Sequence, residues 1–491
     1  MNPSSTVTDQ YKQVHTLVSE LGKGGQGIVY TTTEPDIAVK LVLTKDGTPY
    51  TDKDYIRGYQ NQLDNLLTLP ISPDINLARP ICKLENHAGY VMQQLRGMKS
   101  VEDFFPIAPK DVEERNYPEW LDAFVKYKKF KEAYALEYYA QTGSTKRRFE
   151  ALMQCSVQLA KLHGQGLVYG DISAENVFFS ENDAFNHVWF IDADNLRFEN
   201  KHSTKAVYTP GFGAPELVLG QVGASTNTDV YSFAVLAFKL LSQTHPFYGE
   251  KLQGSDDWAD ETDKGTSSMS LEDQAQAGLL PYVDDPNDDS NRSSVGLPRV
   301  LILSEKLQQL FNHTFNKAQS KPWKRPLIYH WPKALAQALD TSIECPSCKM
   351  SYLEPYALKE KHCPYCKTDV PSHFIIERRA LGGSFNEELW RAVRSSLDSV
   401  IILPSRLFTP FSLNDFDREF AQLSKTKGGW MLSLSMSLNE NVNVAINTPG
   451  EIFIPLVSKL DLTEEDLKIG IVLQIDGGLP QQVHIMLKDS K

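Results

Sequence analysis

The stretch YGDISAENVFF, residues 169–179, decides how the chain is read. It places one aspartate, Asp171, and five positions later one asparagine, Asn176, against an apolar run. Both side chains offer hard oxygen donors. A second apolar run, HVWFI, ends in Asp192-Ala193-Asp194. Mg²⁺ takes hard oxygens and keeps most of its coordination for water and phosphate, so one asparagine and one aspartate suffice to hold it. Asp192 is the expected ligand because it directly follows the run, with Asp194 as the fallback.

Toward the N-terminus, Gly22-Lys23-Gly24-Gly25-Gln26-Gly27-Ile28-Val29 fits G-x-G-x-x-G-x-V. Glycines serve where backbone N–H groups must lie close over a polyphosphate with no Cβ in the way. A dinucleotide site would need a helix directly after them. Here GIVYTTT and DIAVKLVL read as strands instead, so the turn is expected to be a β-hairpin. Lys40, in Ile37-Ala38-Val39-Lys40, stands on the next strand, where an ammonium can neutralise α- and β-phosphates.

Around these motifs, strands are expected within 14–43 and at 89–95, and a helix over 55–69. Helical periodicity runs from 117 to 165, interrupted at TGSTK (143–147), and VYSFAVLAFKLLS (230–242) reads as a buried helix. Strands first and helices afterwards indicate an α+β, two-lobed unit. Residues 249–300 turn acidic and polar and read as an insertion of solvated loops. Their aspartates lack the alternation of a calcium loop.

The 491 residues allow two to four domains, with 41% hydrophobic and 23% charged side chains, as in ordinary globular proteins. The formal net charge of -12 argues against nucleic acid and anionic membrane as partners. No leader-like segment or apolar run of membrane-spanning length is evident, so a cytoplasmic location is expected. Cys82 and Cys155 read as inert buried thiols. Cys345-Pro-Ser-Cys348 and Cys363-Pro-Tyr-Cys366 offer four thiolates for a closed tetrahedral site, which makes a structural Zn²⁺ the expected occupant. Lys349, Lys359, Lys361 and Lys367 flank it and permit a nucleic-acid reading, which the acidic balance disfavours. After residue 373, period-two alternation in MLSLSMSL, NVNVAIN, EIFIPLV, IGIVLQID and QVHIML indicates a β-sandwich-like region with partner binding as its default role. The Arg378-Arg379 and Ser405-Arg406 pairs read as solvated surface, or as a phosphate-reading patch.

Taken in order, these motifs resemble the protein-kinase family, of the serine/threonine type. Ala214-Pro215-Glu216 resembles the A-P-E closing an activation segment, and Thr209 stands where such kinases place a substrate-loop threonine. Asp229-Val230-Tyr231-Ser232-Phe233, His245-Pro246-Phe247 and Arg325-Pro326 match later signature positions. The resemblance implies a bilobal kinase fold, with an N-lobe over 11–98 and a C-lobe over 99–338 that carries the 249–300 insertion. A zinc ribbon at 341–372 and a β-rich interaction domain at 373–491 would follow. It implies Asp171 and Lys40 as catalytic residues. ATP would lie against Gly22, Gly24, Gly25, Gly27, Val29, Ala38, Lys40, Met92 (as gatekeeper), Gln93 and Leu95, with Asn176 and Asp192 holding Mg²⁺ or Mn²⁺. GDISAEN, IDADN, AGLLPYVDDPNDDSN and GLPR resemble, more narrowly, bacterial kinases of a tellurite-resistance-linked stress class. That likeness implies a von Willebrand factor A protein and an opposing metal-dependent phosphatase as partners.

The chain departs from the family at four places. Tyr169-Gly170-Asp171 replaces H-R-D, which removes the usual docking charge for an activation-loop phosphate. Ser173 replaces a phosphate-contacting lysine, and Asp192-Ala193-Asp194 replaces D-F-G. The helix position that should carry the acid partner of Lys40 falls on Gln60, which can only hydrogen-bond. The expected activity is protein phosphorylation from ATP. The alternatives are an ATP-binding pseudokinase scaffold, or transfer to a small molecule or of a nucleotidyl group. Ser203, Thr204 and Tyr208 are the hydroxyls of the activation segment.

Overall fold

The computed structural model describes residues 5–24, 27–182, 186–200, 207–253, 269–354, 359–380, 388–435, 442–446, 453–456, 459–475 and 481–489. Gly25, Ser203 and Thr204 lie outside them. The N-terminal lobe is a six-stranded antiparallel sheet built from Thr6–Thr8 (β1), Val14–Gly24 (β2), Gly27–Thr32 (β3), Ile37–Val42 (β4), Pro80–Lys83 (β5) and Gly89–Gln93 (β6), in the order β1-β2-β3-β4-β6-β5. Val29 pairs with Lys40, and Ala38 with Met92. Because partners across a ladder share a face and alternate residues return to it, Val29, Ala38, Lys40 and Met92 fall on one side of the sheet. On the other side Ile28, Val39, Leu41 and Val91 pack with Val7, Leu17, Cys82 and Leu84. A Cβ on Gly27 would lie 2.7 Å from the Leu41 carbonyl and 3.3 Å from Lys40 Cε, so glycine lets β3 close on β4 beside the lysine.

The helix Lys53–Leu67 (α1) is capped by Asp52, which accepts from the Tyr55 N–H, a contribution of about 1 kcal/mol. It buries Ile56, Leu63 and Leu66 at helical spacing. The strands Met98–Ser100 (β7), Val177–Ser180 (β8) and Val188–Phe190 (β9) form a small sheet in the order β9-β8-β7. They sit against the helix Ser144–Gly164 (α2), which in turn packs on Thr226–Ser242 (α3). The break before α2 falls at Gly143 (φ 82) and Ser144 (φ 52), inside the interruption read from TGSTK. Helix α3 opens on a capping box between Ser225 and Thr228 and is buried nearly all round. His330–Asp340 (α4) closes the lobe, its Trp331 ring 5.4 Å from Phe233 and 5.1 Å from Phe311.

Part of the acidic stretch is not a solvated excursion. Residues 254–268 lie outside the described chain, but in 269–300 Tyr282, Val283 and Leu297 are buried in the helical core. Tyr282 packs edge-on to Phe238, and the Asn291 amide donates to the carbonyls of Phe247 and Pro281. The apolar segments LLPYV and GLP anchor it, while its acids remain at the surface.

Ser342–Glu344 (β10) and Ser351–Leu353 (β11) pair across the first cysteine turn. The Ser351 N–H donates to Ser144 Oγ at 2.8 Å, which stitches this ribbon to the start of α2. Two sheets follow. His373–Ala380 (β12), Glu388–Ser395 (β13), Val442–Ile446 (β17), Ile454–Pro455 (β18), Ile471–Ile475 (β20) and Gln481–Lys488 (β21) form one, in the order β13-β12-β21-β20-β17-β18. Val400–Pro404 (β14), Glu419–Thr426 (β15), Gly429–Leu434 (β16) and Lys459–Leu462 (β19) form the other, in the order β14-β15-β16-β19. Phe374 and Trp430 meet edge-to-face between them at 4.9 Å. A short helix, Glu464–Ile469, opens on a capping box between Thr463 and Asp466 that the strand alternation had masked.

The Arg378-Arg379 and Ser405-Arg406 readings need correction. Arg406 is buried and donates through Nε and Nη2 to Asp340, at 2.8 and 2.9 Å. Arg378 is also buried and donates to the Thr409 carbonyl. Asp340 further receives Arg394 at 2.5 Å and the Trp390 indole at 2.9 Å. The Arg378 and Arg406 guanidiniums are neither solvated nor free to read a phosphate, whereas Arg379 stays 37% exposed beside Glu377, as a surface residue does. Arg406 and Arg394 fasten the β-rich region to the end of α4.

Candidate active site

Lys40 is buried under the sheet lobe, and its ammonium reaches Asp192 Oδ1 at 2.6 Å and Asp194 Oδ2 at 3.0 Å. Burial alone would depress the lysine, but the carboxylates of Asp194 and Asp192 outweigh it and hold its pKa above the ordinary value. The side chain also lies 5.7 Å from the Tyr90 ring centre. Asp192 itself adopts left-handed backbone (φ 56), uncommon for a residue bearing a Cβ and a form of strain found at functional sites.

Gln60 does not meet Lys40. Its amide donates to the Leu84 and Glu85 carbonyls at 2.8 and 2.9 Å, tying α1 to the sheet. The residue before it matters instead: the Tyr59 hydroxyl donates to Asp194 Oδ2 at 3.1 Å, and Gln62 donates to the Asp194 carbonyl at 2.9 Å. Sequence reasoning missed Tyr59, since an aromatic on an amphipathic helix reads as core.

Asp171 is buried, and its Oδ1 accepts both the backbone N–H and the hydroxyl of Thr209, at 2.8 and 2.9 Å. Burial raises its pKa, and the Thr209 hydrogen bonds offset only part of that rise. Asn176 donates through Nδ2 to the Asp171 carbonyl at 3.0 Å, which leaves its amide oxygen for another partner. Asp229, at the start of α3, accepts the N–H groups of Tyr169 and Gly170, at 2.8 and 2.9 Å, and faces His163 at 3.1 Å. It therefore fixes the backbone that carries Asp171. Gly170 has φ 90, where any side chain would be strained. Tyr169, in the histidine position, is buried against Phe190 with its hydroxyl on the Ile191 carbonyl. Ser173 is fully buried.

Gly22 and Gly24 end β2, and a Cβ on either would meet no atom within 4 Å. Met92 and Gln93 end β6, and Gln94 is held by its N–H to the Asp36 carbonyl at 2.9 Å. Glu216 meets Arg325 in a buried bidentate pair, at 2.6 and 2.9 Å.

Residues 124–328 match the family model of the protein kinase domain. The chain carries a protein kinase domain. Among curated proteins the kinase region is similar to a serine/threonine-protein kinase, pkn2, of Myxococcus xanthus, 30% identical over 21% of this chain and 13% of the relative. It is also similar to protein kinase C delta type of Rattus norvegicus (32%, covering 21% and 15%) and calcium/calmodulin-dependent protein kinase type 1 of Macrobrachium nipponense (34%, covering 18% and 26%). The chain thus spans about a quarter or less of the length of these relatives. Lys40, which precedes the matched residues, meets Asp192 and Asp194 within them, and Asp171 and Asn176 sit on one loop.

Outside the kinase domain, the sulfurs of Cys345, Cys348, Cys363 and Cys366 lie within 4.8 Å of one another. Cys345 and Cys366 are 3.4 Å apart, and Cys348 and Cys363 are 3.7 Å apart. A tetrahedral site with Zn–S bonds of ~2.3 Å has edges of roughly 3.8 Å, so the cluster has the size of a zinc centre. Lys349 and Lys367 follow the second cysteine of each turn in left-handed backbone, φ 62 and 65. Their N–H groups return to the Cys345 and Cys363 carbonyls, each at 3.0 Å. Cys82 and Cys155 are buried, and burial pushes the Cys82 thiol up to about 12. Among the described residues no helix is long and apolar enough to cross a membrane.

Proposed function

We propose that the chain is a serine/threonine-type protein kinase that transfers the ATP γ-phosphate to a protein hydroxyl. One observation carries the reading: Lys40 reaches from the sheet lobe to Asp192, 2.6 Å away. A phosphate-neutralising cation and a hard-oxygen metal ligand thereby face each other in one cleft. The glycines of β2 and β3 cover the phosphates, with Val29, Ala38, Met92, Gln93 and Leu95 around the base. Asp192 and Asn176 supply oxygens of the kind Mg²⁺ takes, and the bound ion would neutralise charge on the phosphates. Asp171, held by Thr209, orients the acceptor hydroxyl for in-line attack.

The cysteine cluster holds one structural zinc ion, and the β-rich region recruits substrate or partner. The narrower sequence likeness adds a von Willebrand factor A protein and an opposing phosphatase as partners, in a cytoplasmic stress-signalling module. A second reading, an ATP-binding pseudokinase scaffold, is favoured by Ser173, which is buried and carries no charge where a phosphate-contacting cation is usual.

Incubation with γ-labelled ATP and Mg²⁺ or Mn²⁺ separates the two. Label on the chain or on a generic protein acceptor, lost in Asp171→Ala, is the expected result. ATP binding without label from either protein would establish the scaffold.

A further inference from the structure

Kinase-type clefts need a counter-charge that holds the phosphate-binding lysine in place, and in this chain α1 supplies none. Of the α1 carboxylates, Asp64 is engaged by Lys83 at 2.6 Å and Asp54 is exposed. Gln60 has spent its amide on sheet carbonyls. The acids that do reach Lys40 both come from the opposite lobe, two residues apart.

Those two acids are held very differently. Asp192 makes one side-chain hydrogen bond among the described residues, to Lys40, and its side chain is 21% exposed. Asp194 is 9% exposed and is bound to α1 twice, by the Tyr59 hydroxyl on Oδ2 and by Gln62 on its carbonyl. One carboxylate can turn toward a ligand without breaking a network; the other cannot. Burial favours the same division, since a metal ligand must face the nucleotide whereas a counter-ion can stay behind the lysine.

We infer that Asp194 is a positioning residue that takes over the role of the missing helix acid. Asp194 holds Lys40 in register for the phosphates and Tyr59 clamps Asp194 to α1, leaving Asp192 for the metal. This rests on the nucleotide-site reading above and gives Asp194, which the sequence offers only as a fallback metal ligand, a task of its own. The helix contributes a neutral hydroxyl instead of a charge. Its docking is therefore read through Tyr59, and the counter-charge of the lysine travels with the segment that bears the metal ligand.

The test is equilibrium binding of a fluorescent ATP analogue to the full chain, in Mg²⁺ and in EDTA. Asp194→Asn removes a charge-assisted contact and is expected to weaken binding about tenfold in both conditions, with the tightening by Mg²⁺ unchanged. Asp192→Asn is expected to lose the Mg²⁺ tightening. Asp194→Glu should recover part of the loss, which guards against a folding defect. Tyr59→Phe should shift binding in the same direction by a smaller factor and add little on top of Asp194→Asn, the coupling expected of one network. Loss of Mg²⁺ tightening in Asp194→Asn would make Asp194 the metal ligand and overturn the assignment, as would wild-type affinity in that variant. These outcomes hold whether or not phosphate is transferred. A wild-type chain that binds no ATP would instead overturn the nucleotide-site reading itself.

Discussion

Thr209 delivers both its backbone N–H and its hydroxyl to a single oxygen of Asp171, Oδ1, at 2.8 and 2.9 Å. The carboxylate is thereby oriented by the segment that carries Thr209, 38 residues further along the chain. Thr209→Val keeps the shape and the N–H bond but removes the hydroxyl. A hydrogen bond to a charged group contributes about 1.5–3 kcal/mol, so phosphotransfer should fall roughly tenfold to a hundredfold. Thr209→Ser should stay near wild type. Steady-state rates of the two variants check the point.

Asp340 is fully buried among Arg394, Arg406 and the Trp390 indole. Burial by itself would raise its pKa, but the Arg406 and Arg394 guanidiniums outweigh that and bring it down to about 2. A depressed carboxylate contributes stability above its unfolded pKa and loses it as pH falls through the folded value. Here that means full stabilisation above ~pH 4, on the order of 2–3 kcal/mol, fading toward pH 2. Asp340→Ala strands two buried cations and should cost about 3–5 kcal/mol at neutral pH. Denaturant melts of wild type and variant between pH 2 and pH 7 should converge at the acid end.

Elemental analysis of the purified full chain should find one zinc per chain. The ribbon is short, so its stability depends on the metal as well as on its seat against α2. Cys363→Ser should abolish stoichiometric zinc and lower the melting temperature. Chelation of the wild type should reproduce the loss, and added Zn²⁺ should reverse it.

Glu216 and Arg325 form a buried bidentate pair. Glu216→Gln leaves the guanidinium without its counter-charge and should destabilise the kinase domain by about 3–5 kcal/mol. The double substitution Glu216→Gln with Arg325→Met should recover much of that. A thermal-melt cycle over the four proteins measures the coupling.

The parts of the fold legible in the sequence were those with local signals. Glycines before an apolar pair of strands predicted the β2–β3 turn, and the all-round apolar stretch at 230–242 predicted a buried α3. Asp171, Asn176, Asp192 and Lys40 stood out because their spacing suited phosphate and metal. What escaped depends on distant partners. Arg406 finds Asp340 across 66 residues, and no feature near Ser405-Arg406 announces burial. Tyr59 meets Asp194 across 135 residues. A signal for it existed, in the lack of an acid at Gln60 and the surplus one at Asp194, but linking the two required the fold.

The Asp340 cluster also bears on how the molecule can be divided. A chain cut after residue 341 would keep the whole kinase domain yet expose a carboxylate and the end of α4 that the β-rich region now covers. Fusing the two regions this way removes the slack of a linker. Under the recruiting role proposed for the β-rich region, a captured protein would be offered to the cleft at a fixed distance and angle, so the selection of acceptor hydroxyls would become a question of reach, with local concentration set by geometry and not by tether length.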